Sequence, residues 1–343
     1  MLLALLFAAQ GAIMCLSARA ANDGEQQFAD LGVCKLARGR QIENCRLGYR
    51  TWGALNARRS NAILFPSWFS GNSNNLADYV GPDKMIDPSK FFLIAVDALG
   101  DGVSSSPSNS ETQHGTRFPT ISISDMVDTE YRLASDVLHL KHLHAVMGIS
   151  MGGMQTFEWM VRYPEFMDVA IPIVGSPRLT SYDLLLWQSE VEAAQDDPMF
   201  QGGNYTQPPK LPLVEFIHTM NASTPAYYTR TVERSDYEGV QEGYYTKGIL
   251  PFDANDWLAQ LAAMIAHDVA HGGNLEDAAK KVKAKVLVVA ATQDHMVNPQ
   301  PALEFAPLIR ARTLVLQSDC GHHATGCEMS KLAPAVREFL AAP

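Results

Sequence analysis

The sequence is poor in several features that mark particular classes of protein. Charged residues make up only 19% of its 343 positions, and 27 Lys and Arg are outnumbered by 37 Asp and Glu, for a formal charge of -10. No block of Lys and Arg stands out, and a phosphate backbone or anionic bilayer would repel such a surface. That argues against a nucleic-acid partner. There is no internal repeat, low-complexity tract or heptad run, and no collagen-like or disordered bias. Cysteine is sparse, at five residues, which excludes a disulfide-dense scaffold. What remains is an ordinary globular composition, 47% hydrophobic. It suffices for one large core, alone or with a small second layer of structure.

The first twenty residues, MLLALLFAAQGAIMCLSARA, are apolar, and Ala18-Arg19-Ala20 fits a small-x-small cleavage site before Ala21. The stretch reads as a signal peptide, too short and wrongly flanked for a stable spanning helix, although no Lys or Arg follows Met1. A periplasmic or secreted protein without a stable membrane anchor is the expectation. Cys15 lacks a small residue before it and makes a poor lipoprotein signal. Cys34, Cys45, Cys320 and Cys327 then remain, and four cysteines allow three pairings. Cys34 and Cys45 flank what reads as a hairpin turn, and Cys320 and Cys327 bracket the short loop Gly-His-His-Ala-Thr-Gly. Those two bridges are the favoured pairing in an oxidising compartment.

Short apolar runs alternate with helical patterns, which predicts a mostly parallel sheet with helices on both faces. Strands are expected at 47–52, 62–65, 91–96, 144–148, 169–174, 286–291 and 313–317, several apolar on both faces as buried parallel strands must be. Residues from about Phe28 to Trp52 read as an antiparallel hairpin at one edge. Between 178 and 280 strand-like runs disappear, and aromatics such as Trp187, Tyr227 and Tyr228 accompany helical stretches. The expected division is a leader at 1–20, an α/β core at 21–177, a helical cap at 178–280 and the rest of the core at 281–343. An insertion of that length between two strands reads as a cover over a reaction site.

Gly148-Ile149-Ser150-Met151-Gly152 matches G-x-S-x-G, a pattern that is cheap in isolation. Here an expected strand runs into it and an expected helix, ended by Pro164, runs out of it. Such a strand-to-helix elbow lifts the Ser150 hydroxyl above the sheet and makes the Met151 N–H one oxyanion donor. A serine needs a base and an orienting carboxylate, in the chain order Ser, acid, His for an α/β-hydrolase fold. Asp294 follows the strand at 286–291, and His322 follows the strand at 313–317, so both fall on the rim that carries Ser150. Asp319, His323 and His295 are competitors, with His322 favoured by its place directly after Gly321. The second oxyanion donor should come from Trp68 or Phe69, in the loop after the strand at 62–65.

Other patterns carry less. His267 and His271 stand four apart without an evident third ligand, so no metal is expected. Met147, Met151, Met154 and Met160 read as core filler. Gly100-Asp101-Gly102 is no dinucleotide fingerprint, and no cofactor is expected.

With these residues placed, the chain resembles the homoserine O-acetyltransferase family, a branch of the α/β-hydrolases, from about Arg46 onward. The likeness rests on Asn61-Ala62-Ile63-Leu64, Phe118-Pro119-Thr120, Ser124-Asp125-Met126-Val127 and, most specifically, Ser150-Met151-Gly152-Gly153-Met154-Gln155 with Glu158-Trp159 and Arg162-Tyr163-Pro164. Asp197-Pro198, Gly202-Gly203-Asn204-Tyr205 and Phe252-Asp253-Ala254-Asn255 extend it. The resemblance implies an acyl-serine intermediate, with Ser150, Asp294 and His322 at the family's triad positions. Departures fall on substrate recognition. His323 stands where members usually carry Asp, no Arg lies between Arg178 and Arg230, and Ser67-Trp68-Phe69-Ser70 replaces the usual His-Ala-Leu-Thr. The leading expectation is an exported serine hydrolase cleaving an ester or related acyl bond of a small-molecule substrate, with Trp187, Tyr227, Tyr228 and His323 around it. Acyl transfer to an alcohol or amine is the alternative, and a non-catalytic binding module a third. A homodimer is compatible with all three.

Overall fold

Strands form where β-branched and aliphatic residues run together, and the longest such runs end up between helices. The computed structural model describes residues 23–342, so the expected leader and Cys15 lie outside the described residues. The chain opens with β1 (Gln27–Asp30), the two-residue β2 (Cys34–Lys35) and β3 (Gln41–Ile42), and then β4 (Arg46–Trp52). β5 (Ala62–Pro66) and β6 (Phe92–Val96) lead to α1 (Ile123–Arg132), β7 (Leu143–Ile149), α2 (Met151–Arg162) and β8 (Met167–Ile173). Six helices follow: α3 (Ser181–Gln195), α4 (Pro212–Ala222), α5 (Pro225–Thr231), α6 (Tyr237–Thr246), α7 (Ala254–Ile265) and α8 (Leu275–Ala279). The chain then returns to the sheet through β9 (Lys285–Ala291), α9 (Gln300–Leu308) and β10 (Arg312–Leu316), and closes with α10 (Ala324–Cys327) and α11 (Met329–Ala341).

Eight strands make one sheet in the order β1-β4-β6-β5-β7-β8-β9-β10. β1 and β4 pair antiparallel, as do β4 and β6, and every pairing from β6 through β10 is parallel. All seven expected strands are present, each within two residues of its expected ends. The edge hairpin is the β1–β4 pair, with the small β2–β3 ribbon folded out between them and closed by the Cys34–Cys45 bridge.

The central strands are buried on both sides, as their patterns require. Ile63, Phe65, Met147, Ile171 and Val289 face one apolar cluster with α11, while Leu64, Val146, Ala170 and Val288 face another with α1, α2 and α9. The four methionines all lie in these cores, Met147 on the first side and Met151, Met154 and Met160 on the second. A helix begins at α1 because Ser122 and Asp125 cap it reciprocally, and the same capping box, Thr180 with Asp183, starts α3 at the head of the insertion. Among the described residues no helix is long and apolar enough to cross a membrane.

Candidate active site

β7 passes into α2 through Ser150, whose φ of 58° and ψ of -119° lie outside the regions that L-residues favour. Such a conformation costs about 1–3 kcal/mol and persists only where packing holds it. The neighbouring glycines permit it. A Cβ on Gly148 would stand 2.1 Å from the Gly152 carbonyl oxygen, and one on Gly152 would stand 2.6 Å from the Pro66 oxygen. The Ser150 N–H is held by the Ile173 carbonyl at the end of β8, and the Ser150 carbonyl accepts from Met154. The hydroxyl is thereby presented above the strand ends.

Asp294 follows β9 by three residues and is buried. Its Oδ1 accepts the N–H groups of Met296 and Val297, each at 2.9 Å, which fixes the carboxylate plane. Its Oδ2 lies 2.6 Å from His322 Nδ1, and His322 Nε2 lies 2.8 Å from Ser150 Oγ. The competitors go elsewhere. Asp319 pairs with Arg230, and His323 Nδ1 meets Ser223 Oγ at 3.2 Å. His295 borders a separate surface pocket with Tyr182 and Gln300. The loop carrying His322 is closed by the Cys320–Cys327 bridge, so both favoured pairings are the ones formed. His267 and His271 diverge, His267 to the Ser176 carbonyl and His271 to Glu158. Burial pushes His267 down to about 4, where it stays neutral.

The loop after β5 sits against the nucleophile helix. Gln155 Nε2 donates to the Ser67 carbonyl at 3.0 Å, and the Ser70 N–H donates to Gln260 at 3.0 Å. Between them the N–H groups of Trp68 and Phe69 have no hydrogen-bond partner among the described residues. These donors, with Met151 at the start of α2, are available to a developing oxyanion.

A cavity of about 300 Å³ opens over Ser150 and His322. Trp68, Phe69, Tyr79, Trp187, His218, Met296 and His323 wall it. Of the four residues expected around a substrate, Trp187 and His323 line this cavity. Tyr227 and Tyr228 do not: they lie on α5 outside this wall, Tyr227 beneath the Arg230 guanidinium and Tyr228 with its hydroxyl toward Tyr244. Their assignment to the pocket is corrected accordingly. Aromatic content identified the insertion but not which face of it looks inward.

The wall residue His218 gave no sequence signal. His218 on α4 stands among the rings of Phe69, Trp187 and Trp257, with Nδ1 3.1 Å from the fully buried Glu190 of α3. A lone histidine on an amphipathic helix has no spacing that announces this. Burial, then the neighbouring imidazoles of His322 and His218, holds His323 below the usual histidine range. A second chamber shares Ser70 and His218 with the first and is bordered by Asp101, Glu215, Asp253 and Asp256. Burial raises Asp256 to about 7.

A strained serine on a strand-to-helix elbow, hydrogen-bonded to an imidazole that a buried carboxylate orients, is a nucleophile–base–orienter arrangement. Residues 62–325 match the α/β-hydrolase fold family. The chain belongs to that family. It is 32% identical to the ethyl acetate hydrolase of Pseudomonas veronii, over 94% of this chain and 97% of the relative. An acetylester hydrolase from Corynebacterium glutamicum superposes with a TM-score of 0.86 at 28% identity, covering 93% of this chain and 96% of that one. The homoserine O-acetyltransferase of Trichormus variabilis is 31% identical, over 89% of this chain and 90% of the relative. The α/β-hydrolase therefore has both esterase and acyltransferase relatives. It is an enzyme of esterase type that works through a serine nucleophile.

Proposed function

We propose that this α/β-hydrolase cleaves esters of short acyl groups through an acyl intermediate on Ser150. The reading rests on one unbroken relay: Ser150 Oγ at 2.8 Å from His322 Nε2, and His322 Nδ1 at 2.6 Å from Asp294 Oδ2. His322 takes the hydroxyl proton as Oγ attacks the ester carbonyl, while Asp294 holds the ring and stabilises the imidazolium. The N–H of Met151, with that of Trp68 or Phe69, receives the carbonyl oxygen as it becomes negative. His322 returns the proton to the departing alcohol. It then deprotonates a water that attacks the acyl carbon, and the carboxylic acid leaves.

A cavity of about 300 Å³ walled by rings favours a small acyl group. The names of the two hydrolase relatives, which act on ethyl acetate and on acetyl esters, point the same way. Residues 178–280 serve in this reading as a cap that supplies Trp187 and His218 to the wall. Two disulfides fit an oxidising compartment, since cytosolic thiols are kept reduced, and so favour export.

Identity to a homoserine O-acetyltransferase favours a second reading, transfer of the acyl group to an alcohol acceptor. His323 and the lack of Arg between Arg178 and Arg230 weigh against homoserine as that acceptor. A panel of acetyl to octanoyl esters, with Ser150→Ala as control, tests the first reading, and turnover falling with chain length is expected. Incubation with acetyl-CoA and homoserine tests the second. Thiol release that depends on homoserine and outpaces ester hydrolysis would displace hydrolysis as the main activity.

A further inference from the structure

Two fully buried glutamines hold the loop that follows β5, one at each end. Gln155 of α2 donates to the Ser67 carbonyl at 3.0 Å, so the first end is braced by the nucleophile's own helix. Gln260 of α7 accepts the Ser70 N–H at 3.0 Å, so the second end is braced by the insertion. The Gln260 amide is used at both ends, because its Nε2 donates at 3.3 Å to the carbonyl of Leu99, in the loop after β6. A backbone donor on one side and a backbone acceptor on the other leave that amide a single orientation. Three residues earlier, on the same face of α7, the Trp257 ring meets Phe69 edge-on with centroids 4.5 Å apart.

The segment that they clamp is a turn with two possible forms. Gly71 N–H donates to the Trp68 carbonyl at 3.0 Å, which closes a four-residue β-turn, and Ser70, its third residue, has a φ of 60°. Positive φ at that position belongs to the type II turn, which wants glycine or asparagine there. The run Trp68-Phe69-Ser70-Gly71 has neither in third place and a glycine in fourth, which suits type I better. The two forms differ by a flip of the central peptide, and the flip would bring the Phe69 carbonyl round to where the Ser70 N–H now points. Gln260 Oε1 accepts from that N–H and would repel that carbonyl. We infer that Gln260 is a positioning residue for the oxyanion hole. It holds the turn in the form that its sequence does not favour, and so presets the N–H groups of Trp68 and Phe69 at the cavity that Ser150 shares. This rests on the ester-hydrolase reading above, in which those donors receive the carbonyl oxygen. Preorganised donors stabilise the transition state because nothing has to reorient as charge develops, and a turn divided between two forms forfeits part of that.

Ethyl acetate and O-ethyl thioacetate, in which sulfur replaces the carbonyl oxygen, separate the oxyanion hole from the rest of the site. Sulfur is a poor hydrogen-bond acceptor, so the thiono ester draws little on the donors. Gln260→Leu should lower kcat on ethyl acetate by about tenfold to hundredfold with KM within about twofold, a smaller loss than the roughly 10²–10³-fold typical of deleting a donor. The ratio of kcat/KM for ethyl acetate to kcat/KM for the thiono ester should fall by about tenfold. A variant that is merely less folded loses both substrates equally and keeps the ratio. Ser70→Gly in the Gln260→Leu background should recover most of the lost ratio, because glycine takes a positive φ at no steric cost. If Gln260→Leu does not fold, Gln260→Asn, one methylene too short to span Ser70 and Leu99, should show the same fall. An unmoved ratio in the folded variant would overturn the inference, as would no recovery on adding Ser70→Gly. Absence of ethyl acetate turnover by the unaltered enzyme, with no phosphonate adduct on Ser150, would instead remove the hydrolase reading and this inference with it. Turnover with an unmoved ratio removes the inference alone.

Discussion

The strand-end rim and the helical insertion are built on different terms. On the rim Ser150 is fixed by the backbone elbow between β7 and α2, and Asp294 by two N–H groups of its own turn. All but the last residue of α2 is buried. In the insertion, α5 and α6 bury no residue at all, and Leu185, Leu213 and Met220 stand more than half exposed. Regions with few buried contacts open at lower free energy than the core around them. The reacting groups thus stand on the closely packed part, and the insertion, whose α5 and α6 are sparsely packed, adds Trp187 and His218 to the cavity wall. Among their contacts is one beside His322, where Thr224 donates to the Asp319 carbonyl at 2.5 Å, Arg230 pairs with Asp319, and Ser223 reaches His323.

Substitutions on the rim should be the most costly. Ser150→Ala should lower kcat on a short-chain ester by on the order of 10⁵-fold, and Asp294→Asn by about 10⁴-fold, with folding retained. Tyr228→Phe, on the insertion and outside the cavity, should stay within about threefold. Steady-state kinetics on one ester compares all three, and an Asp294→Asn variant within tenfold of the unaltered enzyme would break the contrast. Next in size is a stability effect under the elbow. Gly148→Ala would place a methyl 2.1 Å from the Gly152 oxygen, a clash with backbone that only a shift of the strand or helix relieves. A loss of about 3 kcal/mol in denaturant unfolding is expected.

The same contrast explains what could be read from the sequence. Strands buried on both faces must be apolar throughout, so 62–65, 169–174 and 286–291 declared themselves. That Ser150, Asp294 and His322 come together was legible because each follows a strand end, and chain order then leaves few choices. The insertion was legible as a helical, aromatic segment and no further. Which face of α4 or α5 turns inward depends on helix packing at long range, so Tyr227 and Tyr228 were misplaced and His218 and Glu190 were not seen. Gln155 lies between these cases. It belongs to the Ser-Met-Gly-Gly-Met-Gln run, yet only the fold reveals that it braces the loop bearing Trp68 and Phe69.

A pH effect on stability should belong to the layer beneath the rim. Glu130 on α1 is fully buried with one oxygen on Trp159 and the other without a partner among the described residues, and burial raises it to about 8. Between about pH 4.5 and 8 the folded protein keeps this proton while the unfolded chain has released it. The folded state binds more protons there, so this contribution to stability is full below 4.5 and is lost as pH rises toward 8. Its slope is at most about 1.4 kcal/mol per pH unit. Glu130→Gln should flatten the decline in melts taken from pH 5 to 8, and an unchanged slope would assign it to other groups, Asp256 among them.

The smallest expected effect separates two bridges that chain entropy alone would treat alike. Cys34–Cys45 and Cys320–Cys327 span 11 and 7 residues, and loops of such similar length should stabilise the fold by similar amounts. They differ in what the loop carries. The first closes the β2–β3 ribbon at the sheet edge, far along the chain from any reacting group. The second encloses His322, whose position also depends on Gly321 at φ 66°, packed against the Ala222 carbonyl and Ser223 at the end of α4. Replacing both members of a pair by Ser should therefore lower Tm comparably in the two cases. Only Cys320→Ser with Cys327→Ser should also lower kcat, by about fivefold to tenfold, because a displaced imidazole loses proton-transfer geometry before the fold is lost. Equal kcat in the two double variants would mean that the contacts with Ser223, Thr224 and Arg230 position His322 without the bridge, and that the insertion holds the rim more firmly than its sparse packing suggests.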